Sequence, residues 1–283
     1  MKNTQPKSVR FDEVGEWSEL KLKIIQKYAT AYSKILSNQG LLHCAYIDGF
    51  AGAGHHISEK TKEMIPGSPL NALNVEPPFE DYYLIDLDGS RVAELQRLTA
   101  ERRNVHIFSG DANSILLSEV FPNIRYESYR RGLCVLDPYG LHLNWNVITT
   151  AAQMRTIEIF LNFPVMDMNR NVLWRNEGAS GKNVERMNKF WGDESWREIA
   201  YTRSPNLFGD LETEKQPNKV VAEAFQERLR KVAGFRYVPE PAPMRNSTGA
   251  IVYYLFFAAH QPTADKIVTD IFNDYKKRGM LRE

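Results

Sequence analysis

Cysteine is scarce: the 283 residues contain two, Cys44 and Cys134. Each sits inside a short apolar run, where a thiol serves as a small buried side chain, so no disulfide framework is expected. Long hydrophobic runs are absent as well, and no stretch nears the ~20 apolar residues of a membrane span. Met1 to Arg10 is polar and lacks the apolar segment of a secretion signal. Together these lacks predict a soluble, cytoplasmic chain with no membrane partner. Charge of one sign is not in excess either. Lys and Arg number 36 against 35 Asp and Glu, a net charge of +1, which gives no global electrostatic case for nucleic acid and confines any basic surface to a local patch. The adjacent His55 and His56 cannot chelate from one face, and no acid or thiol stands at ligand spacing, so no metal is expected.

What is present is 43% hydrophobic content, enough to bury one large α/β domain over 1–283 with an inserted lobe. Residues 1–15 carry no periodic pattern and read as a loose arm. From Glu16, Leu20, Ile24, Ile25, Tyr28, Ala29, Tyr32, Ile35 and Leu36 recur at helical spacing and predict an N-terminal helix over 16–40, stopped by Gly40. Strands are then expected at His43 to Asp48, Tyr82 to Asp86, Val105 to Ser109, Leu133 to Asp137 and Thr156 to Phe163. Helical patterns fall between them, from Pro69, Ser90, Ala112 and Asn144. Such alternation argues for a mostly parallel, doubly wound sheet covered by helices on both faces. Over 164–217 it stops, and a mostly helical insertion over the site is predicted. A helix from Lys219, a strand near Phe235 to Val238, a strand Ile251 to Ala258 and a helix from Thr263 follow, making seven strands.

Four successive strands end in an acid beside Gly or Pro or close to one: Asp48-Gly49, Asp86, Gly110-Asp111 and Asp137-Pro138-Tyr139-Gly140. Doubly wound sheets bind ligands at that rim. The turn Asp48-Gly49-Phe50-Ala51-Gly52-Ala53-Gly54 lets backbone approach a nucleotide-type ligand. A dinucleotide fingerprint would need a third small residue where Ile57 stands and an acid ~20 positions on, whereas Asp86 lies 32 beyond Gly54; both departures disfavour NAD. Asp86 is placed to accept ribose hydroxyls, with Asp88 able to cap the next helix, and Asp111 either accepts an adenine amino group or caps its own helix. Ser68-Pro69 reads as an N-cap with Pro at the first helical position, and 54–66 as a flap. Between Met168 and Gly192, Arg170, Arg175, Lys182, Arg186 and Lys189 accompany Trp174, Phe190 and Trp191. That segment is either a nucleic-acid surface or an amphipathic helix with its aromatics packed inward.

These residues resemble class I S-adenosylmethionine-dependent methyltransferases, which implies a Rossmann-like fold with strand order 3-2-1-4-5-7-6 and the last strand antiparallel. The resemblance implies cofactor contacts from Lys23 on the first helix, from Asp48, Phe50, Gly52 and Gly54 in the glycine-rich loop, from Asp86, and from Asp111 with Ala112. Asp137, Pro138 and Tyr139 resemble the catalytic motif of enzymes that methylate amino groups of nucleobases. There the acid and the proline carbonyl accept the N–H bonds of the amine, and the aromatic stacks on the base. The Asp-Pro-aromatic-Gly form is closer to tRNA guanine N2 methyltransferases, which favours RNA over DNA. Tyr139, Asn169 and Arg170 are the expected substrate contacts. Taken whole, the chain resembles the bacterial three-Cys-motif partner proteins through the helix Trp17 to Tyr28 with Lys21 and Lys23, Asp48 to Gly52, Gly67-Ser68-Pro69, Asp137 to Gly140, and Met168-Asn169-Arg170. A three-Cys-motif protein is then the implied partner, and a catalytically silent binding module of the same fold is the alternative to an enzyme.

Overall fold

The computed structural model describes residues 9–173, 181–205 and 211–281. Its centre is a seven-stranded sheet: β1 (His43–Asp48), β2 (Asp81–Asp86), β3 (Val105–Ser109), β4 (Arg130–Leu136), β5 (Ile157–Phe163), β6 (Ala242–Arg245) and β7 (Ile251–Ala258), in the spatial order β3-β2-β1-β4-β5-β7-β6. β3, β2, β1, β4 and β5 pair in parallel, and β7 pairs antiparallel with both β5 and β6. This is the Rossmann-like class I methyltransferase topology, with helices on both faces of the sheet.

Helices pack on both sides because the strands bury both of theirs. Along each strand the side chains alternate between two cores. Tyr46, Leu84, Leu133, Phe160 and Phe257 face α1 (Glu16–Ser37), α2 (Ser68–Leu73) and α10 (Pro262–Lys277), and Leu95 of α3 (Gly89–Leu98) joins them. Ile47, Ile85, Leu136, Phe163 and Phe256 face the opposite layer: α4 (Ala112–Ile115) with the π-turn after it, α5 (Trp145–Met154), α7 (Gly181–Trp191), α8 (Trp196–Ala200) and α9 (Asn218–Arg228). Between β5 and α7 lies the short α6 (Val165–Asn171). Among the described residues no helix is long and apolar enough to cross a membrane.

Three expectations change here. The sixth strand is not Phe235 to Val238 but Ala242–Arg245; Tyr237 makes only an isolated bridge to Ala259, while Phe235 and Val238 are core residues. The arm is not loose throughout: Glu13–Val14 pairs in parallel with Ile57–Ser58, extending a hairpin of His55–Ser58 and Met64–Pro66 that forms the predicted flap. The insertion is helical only in part, since Tyr201–Pro205 and Leu211–Lys215 form an antiparallel ribbon. Its aromatics Phe190, Trp191 and Trp196 are fully buried, Phe190 against Phe163 and Phe225 and Trp191 against Phe225, so α7 is an amphipathic helix with its aromatics packed inward. Trp174 and Arg175 lie outside the described residues.

Polar chemistry intrudes on the α1 face at Glu158 in β5, whose carboxylate accepts a hydrogen bond from Tyr28 at 2.5 Å. Burial pushes its carboxyl up to about 7, against the favourable Tyr28 contact. The folded state therefore binds a proton that the unfolded chain has lost above the ordinary glutamate range, and Glu158 weakens the fold as pH rises from about 5 to about 8. Glu158→Gln should gain stability relative to the wild type across that window, on the order of 2 kcal/mol, in urea unfolding at the two pH values. A difference that does not change with pH would contradict this assignment.

Candidate active site at the carboxyl edge of the sheet

The four acids end adjacent parallel strands, so Asp111, Asp86, Asp48 and Asp137 stand in a row along one edge, about 4.8 Å apart per strand. They differ in what they can do. Asp48 is fully buried and accepts from Ser68 Oγ at 2.6 Å, from the Phe50 amide at 3.1 Å and from Tyr46 Oη at 3.3 Å. Burial pushes its carboxyl up to about 6, opposed by those donors. It shapes the glycine-rich loop from beneath and lies outside the lining of the cavity there. Ser68 is not the predicted cap: Gly67 occupies the N-cap position, and the Ser68 hydroxyl is spent on Asp48.

Asp86 accepts from the Gly52 amide at 2.9 Å and the Asp88 amide at 2.8 Å, which ties the second strand end to the loop of the first. Asp88 caps α3, as its spacing suggested. Gly52 has φ of +66°, and nothing lies within 4 Å of where a Cβ would stand, so its bare backbone faces open space. Gly54, φ +86°, is instead packed against Leu95 and Leu98, and its carbonyl receives the Gly67 amide at 2.7 Å. Gly54 is a structural turn and does not line the cavity. Asp111 accepts from the Ser114 amide and hydroxyl at 3.0 Å and from Asn113, which together hold its carboxyl below the usual range despite partial burial. It is a helix cap in this structure, and Ala112 beside it is buried in the core.

A cavity of about 390 Å³ opens where β1, β4 and β5 end, lined by Phe50, Ala51 and Gly52, by Ser68 and His56, and by Asp137, Pro138 and Tyr139. Asn162, Arg170, Tyr253 and Lys21 also line it. Lys21 replaces Lys23 as the basic residue of α1 at the site: Lys23 is exposed, whereas Lys21 is buried and its ammonium pairs with Asp137 Oδ2 and lies 5.2 Å over the Tyr253 ring. Burial alone would push that ammonium's pKa down; Asp137, with help from Tyr253 and Asp48, more than reverses the effect and raises it. The helical period selects the residue. Lys21 shares a face with Ile24, Ile25 and Tyr28, all buried, and Lys23 does not.

Asn162, at the end of β5, is the other residue that sequence reasoning missed. Its Nδ2 donates to Asp137 Oδ1 at 2.7 Å. An ionised carboxylate can only accept, so the amide must turn its NH2 that way. Asn162 Oδ1 then points elsewhere, buried and without a partner among the described residues. The sequence signal was a lone amide in the apolar run Ile159 to Phe163.

The loop after β4 is fixed by Asp167 of α6, which accepts from the Leu141 amide at 2.8 Å and pairs with Arg186 at 2.7 Å. Gly140, φ +71°, suits this turn, where a Cβ would run into the Asp167 carboxylate. Tyr139 is 60% exposed, and its hydroxyl is bonded to Asp12 of the arm and to Arg91 at 3.0 Å. Desolvation and the Asp12 carboxylate push it up to about 12. Of the expected substrate contacts, Arg170 lines the cavity and Asn169 does not; its amide bonds Asn218 and Lys215.

No protein-family model and no curated protein matches the sequence. Solved structures do match. Protein LPL1258 from Legionella pneumophila aligns over 93% of both chains at 13% identity, with a TM-score of 0.49. An S-adenosylmethionine-dependent methyltransferase from Clostridium acetobutylicum aligns over 83% of this chain and 91% of its own at 11% identity, TM-score 0.42. The trans-methyltransferase CalH, in complex with SAH, aligns over 82% of this chain and 56% of its own at 14% identity, TM-score 0.37. Likeness of this degree says nothing of activity, and the fold assignment stands on the strand order and pairing themselves.

Proposed function

We propose that this chain is an S-adenosylmethionine-dependent methyltransferase acting on an amino group. The observation that carries this is the pair Asp137 and Asn162: a carboxylate and an unpartnered, buried amide oxygen at one end of a cavity whose other wall is the open Phe50–Gly52 backbone. The residues present fit the cofactor. Gly52 lines the cavity with no Cβ in the way, and Asp86, buried just behind it, keeps lone pairs beyond the two amides it accepts, enough for ribose hydroxyls. When bound, the cofactor supplies an electrophilic methyl group on a sulfonium and needs no metal or covalent nucleophile.

The chain's own groups then have definable tasks. Lys21 pairs with Asp137 and offsets its charge, and the carboxylate faces the incoming amine as a hydrogen-bond acceptor. Asn162 and Lys21 occupy two of its roughly four lone-pair sites, leaving room for an incoming N–H. A second N–H of the same amine goes to the carbonyl of Pro138, which lines the same end of the cavity. Accepting both N–H bonds draws the nitrogen toward a tetrahedral geometry and aims its lone pair into the cavity. A proton shed by the nitrogen passes to Asp137. Hydroxyl acceptors, with one O–H, would leave one of the two oxygens unpaired.

A nucleobase amine, with RNA ahead of DNA, is the acceptor class that the Asp137-Pro138-Tyr139-Gly140 form supports, with Tyr139 exposed for stacking once it leaves Asp12. The same resemblance supports a three-Cys-motif protein as partner. The rival reading, a module that binds cofactor without turnover, draws on the Lys21–Asp137 pair: if Lys21 stays on Asp137 through the cycle, the carboxylate remains neutralised.

Transfer of labelled methyl from the cofactor to total bacterial RNA, DNA and protein should label RNA at a base nitrogen. Asp137→Ala should abolish transfer while leaving S-adenosylhomocysteine affinity within about threefold of wild type. Normal transfer by that variant would overturn the assignment. Asn162→Leu, close in volume, should lower kcat by about 100-fold with a small effect on cofactor affinity. Label at an oxygen or carbon, or an unchanged kcat, would contradict the role given to Asn162.

A further inference from the structure

A second cavity, of about 260 Å³, lies at the opposite, amino-terminal edge of the sheet, between the last turns of α1, the first turn of α10 and the starts of β4 and β5. Nothing in the proposed transfer chemistry uses it. Its polar groups are poorly matched for a structural pocket. Tyr32, 6% exposed, lines it with a hydroxyl that has no partner among the described residues. Glu158 lines it with a carboxylate that accepts from Tyr28 and from no other donor among the described residues. Arg131 and Arg155 line it too. Arg131 bonds only the Arg130 carbonyl and lies 4.6 Å over the Tyr126 ring, and no carboxylate pairs with either guanidinium among the described residues. Arg155, exposed at the mouth, stands at the end of α5 with a left-handed backbone, φ +57°. Ile35, Leu36 and Ile157 supply an apolar wall.

The register fixes the spacing of the charged groups. Leu133 pairs with Glu158, and Arg131 lies two residues earlier on β4, hence on the same face as Leu133. Glu158 shares that face, as its neighbour-but-one Phe160 packs in the same core. One step across the ladder and two along the strand separate the Arg131 and Glu158 backbones by about 8 Å.

We propose that this cavity is a ligand site for a small organic anion that carries a hydrogen-bond-donating head on a short apolar body. The anionic group pairs with Arg131 and Arg155, the head donates to Glu158, and Tyr32 supplies the remaining hydrogen bond. Two charged donors suit a carboxylate or phosphate, whose geometry guanidinium matches. Glu158, pushed up to about 7 by burial, is an acceptor in full above that value and partly a donor below it. Binding should therefore be strongest on the alkaline side of neutrality. The groups facing Glu158 from the packed elements are Tyr28 and Tyr32 of α1, both held protonated with pKa values well above the ordinary tyrosine range by burial. His260, next to the start of α10, donates its Nε2–H to the Ala152 carbonyl, and burial lowers its pKa from the ordinary histidine value.

The test uses the full chain and 4-aminobenzoate as probe, by isothermal titration at about pH 8. The expected dissociation constant is about 1 mM or tighter. Arg155→Gln, on the exposed rim, and Arg131→Gln should each weaken it about tenfold, and benzoate, which lacks the donor head, should bind about fivefold more weakly. Glu158→Gln should abolish the preference for 4-aminobenzoate over benzoate while circular dichroism shows the fold intact. Saturating S-adenosylhomocysteine should leave probe affinity unchanged, because the two cavities lie at opposite edges. Absence of binding at 10-fold above the stated constant, wild-type affinity retained in the two arginine variants, or displacement by S-adenosylhomocysteine would each overturn the site.

Discussion

The candidate active site depends on one buried charge relationship: the Lys21 ammonium set against the Asp137 carboxylate, with Asn162 holding the far oxygen. Either charge alone at this depth would be costly, and removal of one partner of a buried pair commonly costs about 3–5 kcal/mol. Asp137 is 31% exposed toward the cavity, which softens that figure and leaves the carboxylate reachable. The pair also joins distant parts of the chain. Lys21 comes from α1, Asp137 follows β4 and Asn162 ends β5, so the site exists only when α1 is docked across the sheet.

The docking of α1 is a matter of aromatic packing. Tyr28 sits between Phe160 of β5 and Phe257 of β7, with ring centroids 5.3 and 4.7 Å away. Two turns from it on the same helix face, Lys21 reaches the carboxyl edge of the sheet, while Tyr32 and Leu36 reach the amino edge. One helix thus supplies a wall to both cavities, and the polar groups at its two ends are the departures from an otherwise apolar face.

Much of this was legible in the sequence because a parallel sheet buried on both faces writes its strands as short apolar runs. β1, β3 and β7 fall where they were expected to the residue, and the order of all seven follows the fold. The strand-end acids were legible too, but their division of labour was not. Only atomic surroundings distinguish Asp48, sealed under the loop, from Asp137, open to the cavity, or show Asp111 spending its lone pairs on Ser114 and Asn113. Lys21 was confused with Lys23 because the motif pointed to the helix and not to its phase. Asn162 gave a weak signal, one amide in a hydrophobic strand. β6 was misplaced because the apolar Phe235 and Val238 fill the core from a loop, whereas the true strand, Ala242-Pro243-Met244-Arg245, carries a proline that suits only an edge.

The central claim is that the ends of β1, β2 and β4 act together to hold a sulfonium nucleoside beside Asp137. Its most direct measurement is isothermal titration of the wild-type chain and Asp86→Asn with S-adenosylhomocysteine. Wild-type binding is expected to be tighter than about 1 mM and at least tenfold weaker in the variant, because the carboxylate that accepts the Gly52 amide, and is proposed to accept the ribose hydroxyls, is lost. No binding by the wild type at about 1 mM, or equal affinity in the two proteins, would contradict it.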